Sequence, residues 1–218
     1  MNRLRLALVS GVTLTCAVLS NTTWGGELPV PEWFPRKAGS VFNYAARISD
    51  EDGDATIQAK VVAVTHTDKL YQTTVNVTLR SKDRKLKPVS EDVDFLYDGN
   101  RLTCTIAENP VHAAPLKASP AENSEILVEV PAGEFAWLNG ATITVLPKVE
   151  EMAIEGRAWK DVAAAKFSLK GTGGSVHATT HFAPPHGLLR MKVVSQNNDG
   201  SFRKSLLIEI VPDNTTAP

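Results

Sequence analysis

From residue 40 onward, apolar and polar residues alternate with a period of two, and turn residues interrupt the alternation every 8 to 14 positions. Val41 to Ser49 sets Phe42, Tyr44, Ala46 and Ile48 on one face and stops at Asp50-Glu51-Asp52-Gly53-Asp54. Ala55 to Thr65 reads as the returning strand. The alternation is cleanest from Tyr71 to Arg80: Tyr71, Thr73, Val75, Val77 and Leu79 point one way, and Gln72, Thr74, Asn76, Thr78 and Arg80 the other. One dry face and one wet face indicate an antiparallel sheet. The pattern predicts further strands at Val89–Tyr97, Leu102–Ile106, Glu125–Val130, Ala141–Leu146, Ser175–Ala183, Leu188–Gln196 and Phe202–Val211, with Asn198-Asp199-Gly200 as a hairpin turn.

Two stretches fit this pattern less well. Residues 107–124 contain three prolines without periodicity and read as a long loop. Val149 to Lys166 is rich in Glu and Ala, with Val149, Met152, Ala153, Trp159, Val162 and Ala163 at spacings a helix also uses. Because Glu155-Gly156-Arg157 forms a turn, two strands are the favoured reading. The expectation is an all-β fold: an antiparallel meander of about ten strands in a strongly curved sheet, half-barrel or barrel, since open edges invite aggregation.

The first residues change the picture of where this sheet resides. Arg3 and Arg5 precede an apolar run from Leu6 to Leu19, and a polar stretch follows, which predicts a cleavable signal over residues 1–25. Cys16 lies inside the apolar run, follows Thr13-Leu14-Thr15, and is read as lost with the signal. Residues 26–218 are then one β-domain with a polar tail at 212–218. No later segment reaches the ~18 apolar residues of a spanning helix, so no transmembrane segment is expected after cleavage. The location predicted is exported, periplasmic or extracellular. The whole chain has 23 basic and 24 acidic residues, and removing the two signal arginines gives 21 against 24, or −3. No concentrated basic face points to nucleic acid. Cys104, in the alternation Leu102, Cys104, Ile106, reads as a buried thiol.

Candidate chemistry is sparse. His177 and His181 share a strand face about 13 Å apart, too far for one metal to bridge. Asp50, Asp52 and Asp54 are spaced loosely like a calcium loop but lack its trailing glutamate. Asp92 and Asp94 lie about 7 Å apart, within the range of paired glycosidase carboxylates, yet read as the wet side of a strand. Arg80, Lys82, Arg84, Lys85 and Lys87 cluster at a turn, where they could meet an anionic headgroup or protect an edge. No nucleophile motif or phosphate cradle is present. The expectation is therefore no enzyme, no catalytic residue, no metal and no cofactor.

Several short segments carry a resemblance. Phe34-Pro35-Arg36-Lys37-Ala38-Gly39-Ser40-Val41-Phe42-Asn43-Tyr44, Val130-Pro131-Ala132-Gly133-Glu134-Phe135, Gly156-Arg157-Ala158-Trp159-Lys160-Asp161-Val162 and Phe182-Ala183-Pro184-Pro185-His186-Gly187-Leu188 resemble elements of uncharacterised bacterial exported β-proteins, some of them lipoproteins. Phe42 stands where that group more often has Trp, and Pro185 where Gly is usual. The resemblance implies a curved or barrel-like antiparallel sheet and residence in the envelope, with no catalytic residues to transfer. Gly39, Gly133 and Gly187 are expected at positions needing positive φ or close backbone approach. Trp33, Phe34 and Phe42 are sized to plug a barrel end.

The function expected is that of a non-catalytic periplasmic or cell-envelope protein binding a lipid-like or other hydrophobic ligand on a concave apolar face. The alternative is a structural or protein-interaction module of an envelope assembly, with an envelope protein as partner and no small ligand. A hydrolase using Asp92, Asp94 or the histidines is the remote alternative.

Overall fold

The computed structural model describes residues 37–48, 54–82, 87–116, 121–183 and 186–212. The predicted signal, Cys16, Trp33, Phe34, Asp50, Asp52, Arg84, Lys85, Pro184 and Pro185 lie outside them. Twelve strands follow one another: β1 (Val41–Ile48), β2 (Ala55–His66), β3 (Tyr71–Ser81), β4 (Val89–Tyr97), β5 (Leu102–Ile106), β6 (Asn109–Ala114), β7 (Glu125–Glu129), β8 (Thr142–Ile154), β9 (Arg157–Gly171), β10 (Gly174–Ala183), β11 (Gly187–Gln196) and β12 (Phe202–Ile210). Each pairs antiparallel with its neighbour in sequence, and β12 returns to β1, for example through Tyr44 opposite Ile210. The meander is a closed barrel. Closure gives every strand a hydrogen-bonded neighbour on both sides, which is how a sheet of this size escapes edge-to-edge association.

The stretch Val149–Lys166 belongs to two strands, as the turn at Glu155-Gly156 predicted. Both turn residues have positive φ, +49° and +78°. The long loop expected at 107–124 is corrected: Asn109–Ala114 is a strand, with Val111 and Ala113 buried and pairing Cys104 and Leu102 of β5. The turn before it is made by Ala107 and Glu108, both left-handed at φ +45° and +66°. Such two-residue hairpins normally carry Asn or Gly, so this one gave no sequence signal. Cys104 is buried as expected. Gly39, Gly133 and Gly187 all have positive φ. At Gly133 the φ of +100° favours glycine, and a Cβ would lie 2.3 Å from the Asn109 side-chain oxygen, which would have to move aside.

The barrel is apolar inside and polar outside. Exposed Lys60, Asp92, Asp94, Glu129, Lys166 and Lys192 stand on outward lines of five different strands. At the mid-depth of a lipid-embedded barrel, each such charge would cost up to about 2–4 kcal/mol, depending on depth and sign. This wall is built to face water or protein, the inverse of a membrane-spanning barrel. No helix among the described residues is long and apolar enough to cross a membrane.

Candidate functional site

One end of the barrel is closed. It is the end where the β2–β3 and β4–β5 turns lie. Tyr71 and Tyr97 fill it, and Leu116, from the segment after β6, is fully buried there. The Tyr97 hydroxyl lies 3.3 Å from the Leu116 carbonyl, to which it donates. Burial, then the nearby Asp98 carboxylate, push the Tyr97 phenol up to about 12, so it stays protonated as a donor. His66 meets the Tyr71 ring edge-on at 5.4 Å. The inward hydroxyls of Thr73 and Thr180 donate to wall carbonyls of Ala63 and Ala165 at 3.0 and 3.2 Å. The deep interior therefore has an apolar character.

Toward the opposite end the inward face opens. Along β3, Tyr71 and Thr73 are 1% and 0% exposed, Val75 is 7%, and Val77 and Leu79 are only partly buried. The same progression runs from Thr180 to Val176 on β10, from Ala165 through Phe167 to Leu169 on β9, and from Met191 to Val193 on β11. Strands β3 and β9 are six positions apart in a twelve-stranded ring, so these apolar side chains come from opposing walls. The β7–β8 connection folds over this end beside the β5–β6 turn, where the Glu134 amide donates to Asn109 Oδ1 at 3.4 Å. Its short 3-10 turn Ala136–Leu138 places Phe135 and Leu138 in the core, and Asn139 accepts from the Val130 amide at 3.1 Å. The result is an apolar mouth, floored by aromatics and roofed on one side. Of the residues read as the dry face of Tyr71–Arg80, Val75 and Val77 line this mouth, whereas Tyr71 belongs to the closed end.

A second feature lies on the outer wall. Residues 149–162 of the β8–β9 hairpin run past the last pairing of β9 with β10, which is Ala163 opposite Phe182. A register shift between Leu146 and Val149, and a left-handed Asp161 at φ +52°, bend this arm at its base. Its tip reaches Arg47 on β1: Arg47 Nη2 lies 3.4 Å from Glu155 Oε1. Ala46 faces inward, so Arg47 faces out. Between β9 and β1 lie four strand spacings, about 19 Å, and the arm's six residues from Val149 to Ile154 span about 17 Å. The arm is thus a strap laid across the outside of β10, β11, β12 and β1. One of its faces, Met152, Ile154, Arg157 and Trp159, is buried or partly so, while Glu151, Ala153, Ala158 and Lys160 are exposed.

The strap accounts for buried groups on an otherwise wet wall. The outward residues Ala164, His181, Arg190, Glu209 and Ala45 lie side by side across the sheet. Arg190 Nε and Nη2 both reach Glu209 Oε1, at 2.7 and 2.5 Å, and Glu209 is 8% exposed. Burial, then the Arg190 guanidinium, hold His181 below its ordinary value. Trp159 packs edge-on against His186 of the β10–β11 turn at 4.8 Å, with the Arg157 guanidinium 4.4 Å over its ring. His186 is likewise lowered, first by burial and then by Arg157. The Trp159 indole nitrogen and His181 Nδ1 are buried without a hydrogen-bond partner.

The remaining sequence candidates are wall residues. His177 and His181 share the outward face; His177 Nδ1 sits 3.2 Å from Ser168 Oγ. Asp94 and Asp92 accept from Thr74 at 2.6 Å and from Asn76 at 2.7 Å, rungs of an outer polar ladder. Asp54 pairs with Lys82, which lowers its carboxyl through hydrogen bonding and charge. No group of three or more metal-ligating side chains occurs among the described residues.

No protein-family model matches the chain, and no curated protein matches it. Two solved structures are similar in fold. A protein assigned as exported, with a YmcC-like fold, from Bacteroides fragilis NCTC 9343 aligns at TM-score 0.51 and 11% identity, covering 82% of this chain and 98% of its own. A protein assigned as a lipoprotein, from Parabacteroides distasonis ATCC 8503, aligns at TM-score 0.50 and 11% identity, covering 84% and 99%. At this identity the likeness establishes a shared fold.

Proposed function

We propose that this chain is a non-catalytic, exported cell-envelope protein that binds a hydrophobic, lipid-like molecule in the open mouth of its barrel. The observation that carries the proposal is the graded exposure of inward apolar residues, from a sealed floor at Tyr71 and Phe182 to partly exposed Val77, Leu79, Leu169, Val176 and Val193. Apolar side chains on opposing walls that remain partly exposed offer burial to a guest at roughly 25 cal/mol per Å². The charged outer wall suits an aqueous compartment, and the two structural neighbours, named as an exported protein and a lipoprotein, support residence outside the cytoplasm. The deep inward hydroxyls are engaged by their own wall, and Asp92 and Asp94 by neighbouring side chains, which supports binding without chemistry.

Native mass spectrometry of protein purified from the envelope tests this. A copurified lipid-like mass is expected, and it should disappear from Val176→Glu and Val193→Glu, which place a carboxylate on the mouth's inward face. Bare polypeptide, combined with no uptake of the neutral probe N-phenyl-1-naphthylamine, would overturn the proposal and leave the structural or protein-interaction module.

A further inference from the structure

We infer that the open end of the barrel docks on the surface of a lipid bilayer, the reservoir of its guest, through Trp137 and Phe202. The inference rests on the mouth being a site for a lipid-like molecule. Its own observation is where the exposed aromatic rings stand. Among the described residues, two Trp, Tyr or Phe side chains are exposed, Trp137 at 44% and Phe202 at 54%. Both are at the open end: Trp137 in the β7–β8 connection, and Phe202 at the start of β12 beside the β11–β12 turn. Exposed aliphatics such as Leu96 and Leu127 stand singly on the outer wall, which is ordinary for a protein surface.

Both rings ride on pinned turns. Phe135 and Leu138 take the core positions around the 3-10 turn, which leaves Trp137 facing out. The Gly140 and Ala141 amides donate to the Val128 and Leu138 carbonyls at 2.9 and 3.0 Å and hold that turn in place. Phe202 sits where a register shift between Ser195 and Gln196 ends the regular β11–β12 pairing. The turn beside it is tied to the β9–β10 turn by Asn198 Nδ2, which donates to the Thr172 carbonyl at 2.8 Å. Trp137, between β7 and β8, and Phe202, on β12, are separated by several strands of the ring, so a single plane laid across the opening meets both. About 100 Å² of each ring is open. That is well short of the ~800 Å² per partner that a standard protein interface buries. Contact with a lipid interface, by contrast, is made by single aromatic side chains. Charge does not select the surface, because exposed Lys170 and Arg203 stand at this end together with exposed Glu108 and Glu134. The contact is therefore apolar, and the charged wall stops it at headgroup depth.

The test is co-sedimentation of the full mature chain with neutral phosphatidylcholine vesicles, alongside uptake of N-phenyl-1-naphthylamine from solution without vesicles. The chain should pellet with the vesicles at low and high salt alike. Trp137→Ser and Phe202→Ser should each lower the partition coefficient by about tenfold or more, while probe uptake stays within about twofold. Leu127→Ser, exposed on the outer wall, should change neither. Absence of vesicle binding, release by salt, or partition indifferent to both rings would overturn the docking while the mouth stands as a guest site. A dimer in sedimentation equilibrium that Trp137→Ser dissolves would assign the face to a second copy and overturn it equally. No probe uptake by the wild-type chain would remove the guest, and with it the loading role of the docked end.

Discussion

Replacing Trp159 with alanine should release the strap without opening the barrel. The indole is 95% buried, from its 5% exposure, so its truncation belongs with large aromatic-to-alanine changes of about 3–5 kcal/mol. The contact with Arg157 is lost within that figure. Removing an indole N–H that is buried without a partner returns about 1 kcal/mol, so the net is about 2–4 kcal/mol. Because the arm extends beyond the last β9–β10 pair, this loss falls on strap docking and not on the barrel's closed ladder. Native-state hydrogen exchange is the assay. Amides of residues 149–162 should lose protection by about 30-fold to 1,000-fold, at 1.4 kcal/mol per decade, while β3 to β5 keep theirs. A uniform loss across the barrel, or a change under threefold in the strap, would refute the reasoning.

Acid should loosen the same element. His181 and His186 both titrate below the ordinary histidine value of 6.5 when folded, so the neutral forms favour the closed strap. That stability is present above pH 6.5 and declines as pH falls below it, because the released state takes up protons first. Lower protection factors for the strap at pH 5.5 than at 7.5, after division by the intrinsic exchange rate at each pH, with the difference reduced in His181→Gln, are the expected readout. His181 faces Arg190, with Glu209 paired to that guanidinium, and His186 faces Trp159 and Arg157, so the added charge in each case meets a cation. Glu209→Gln should cost about 2 kcal/mol in chemical denaturation, below the 3–5 of a fully buried pair because the Arg190 side chain is 31% exposed. By contrast, Arg47→Ala, which removes the exposed pair to Glu155, should cost no more than about 0.5 kcal/mol. Ala107→Asn with Glu108→Gly should stabilise by about 1–2 kcal/mol, since both residues hold left-handed φ, and a rise in the denaturant midpoint would record it.

Most of the strand plan was legible in the chain, because each strand with one dry face writes a period of two. Val89–Tyr97 and Leu102–Ile106 were readable to the residue for this reason. The sixth strand was hidden because Pro110 and two alanines, Ala113 and Ala114, dilute its alternation and Ala107-Glu108 is an unconventional turn. Outward groups such as Asp92, Asp94 and His177 were correctly read as wall residues from their alternation alone. Cys104 was read as buried on the same evidence.

What the local pattern could not contain was how the ends of the barrel differ. Val77 and Tyr71 occupy equivalent places in the same alternation, yet one lines an open mouth and the other a sealed floor. That difference comes from Tyr97, the neighbour of Tyr71 on the next strand, and from Leu116, whose carbonyl takes the Tyr97 hydroxyl, contacts between residues far apart in sequence. The strap was equally invisible. Its sequence reads as a hairpin, and only the bend at Val149 and Asp161 lays it over His181, Arg190 and Glu209 and buries what the strand pattern marks as wet. Periodicity determined the sheet and its two faces; closure of twelve strands into a ring decided which parts of each face meet water.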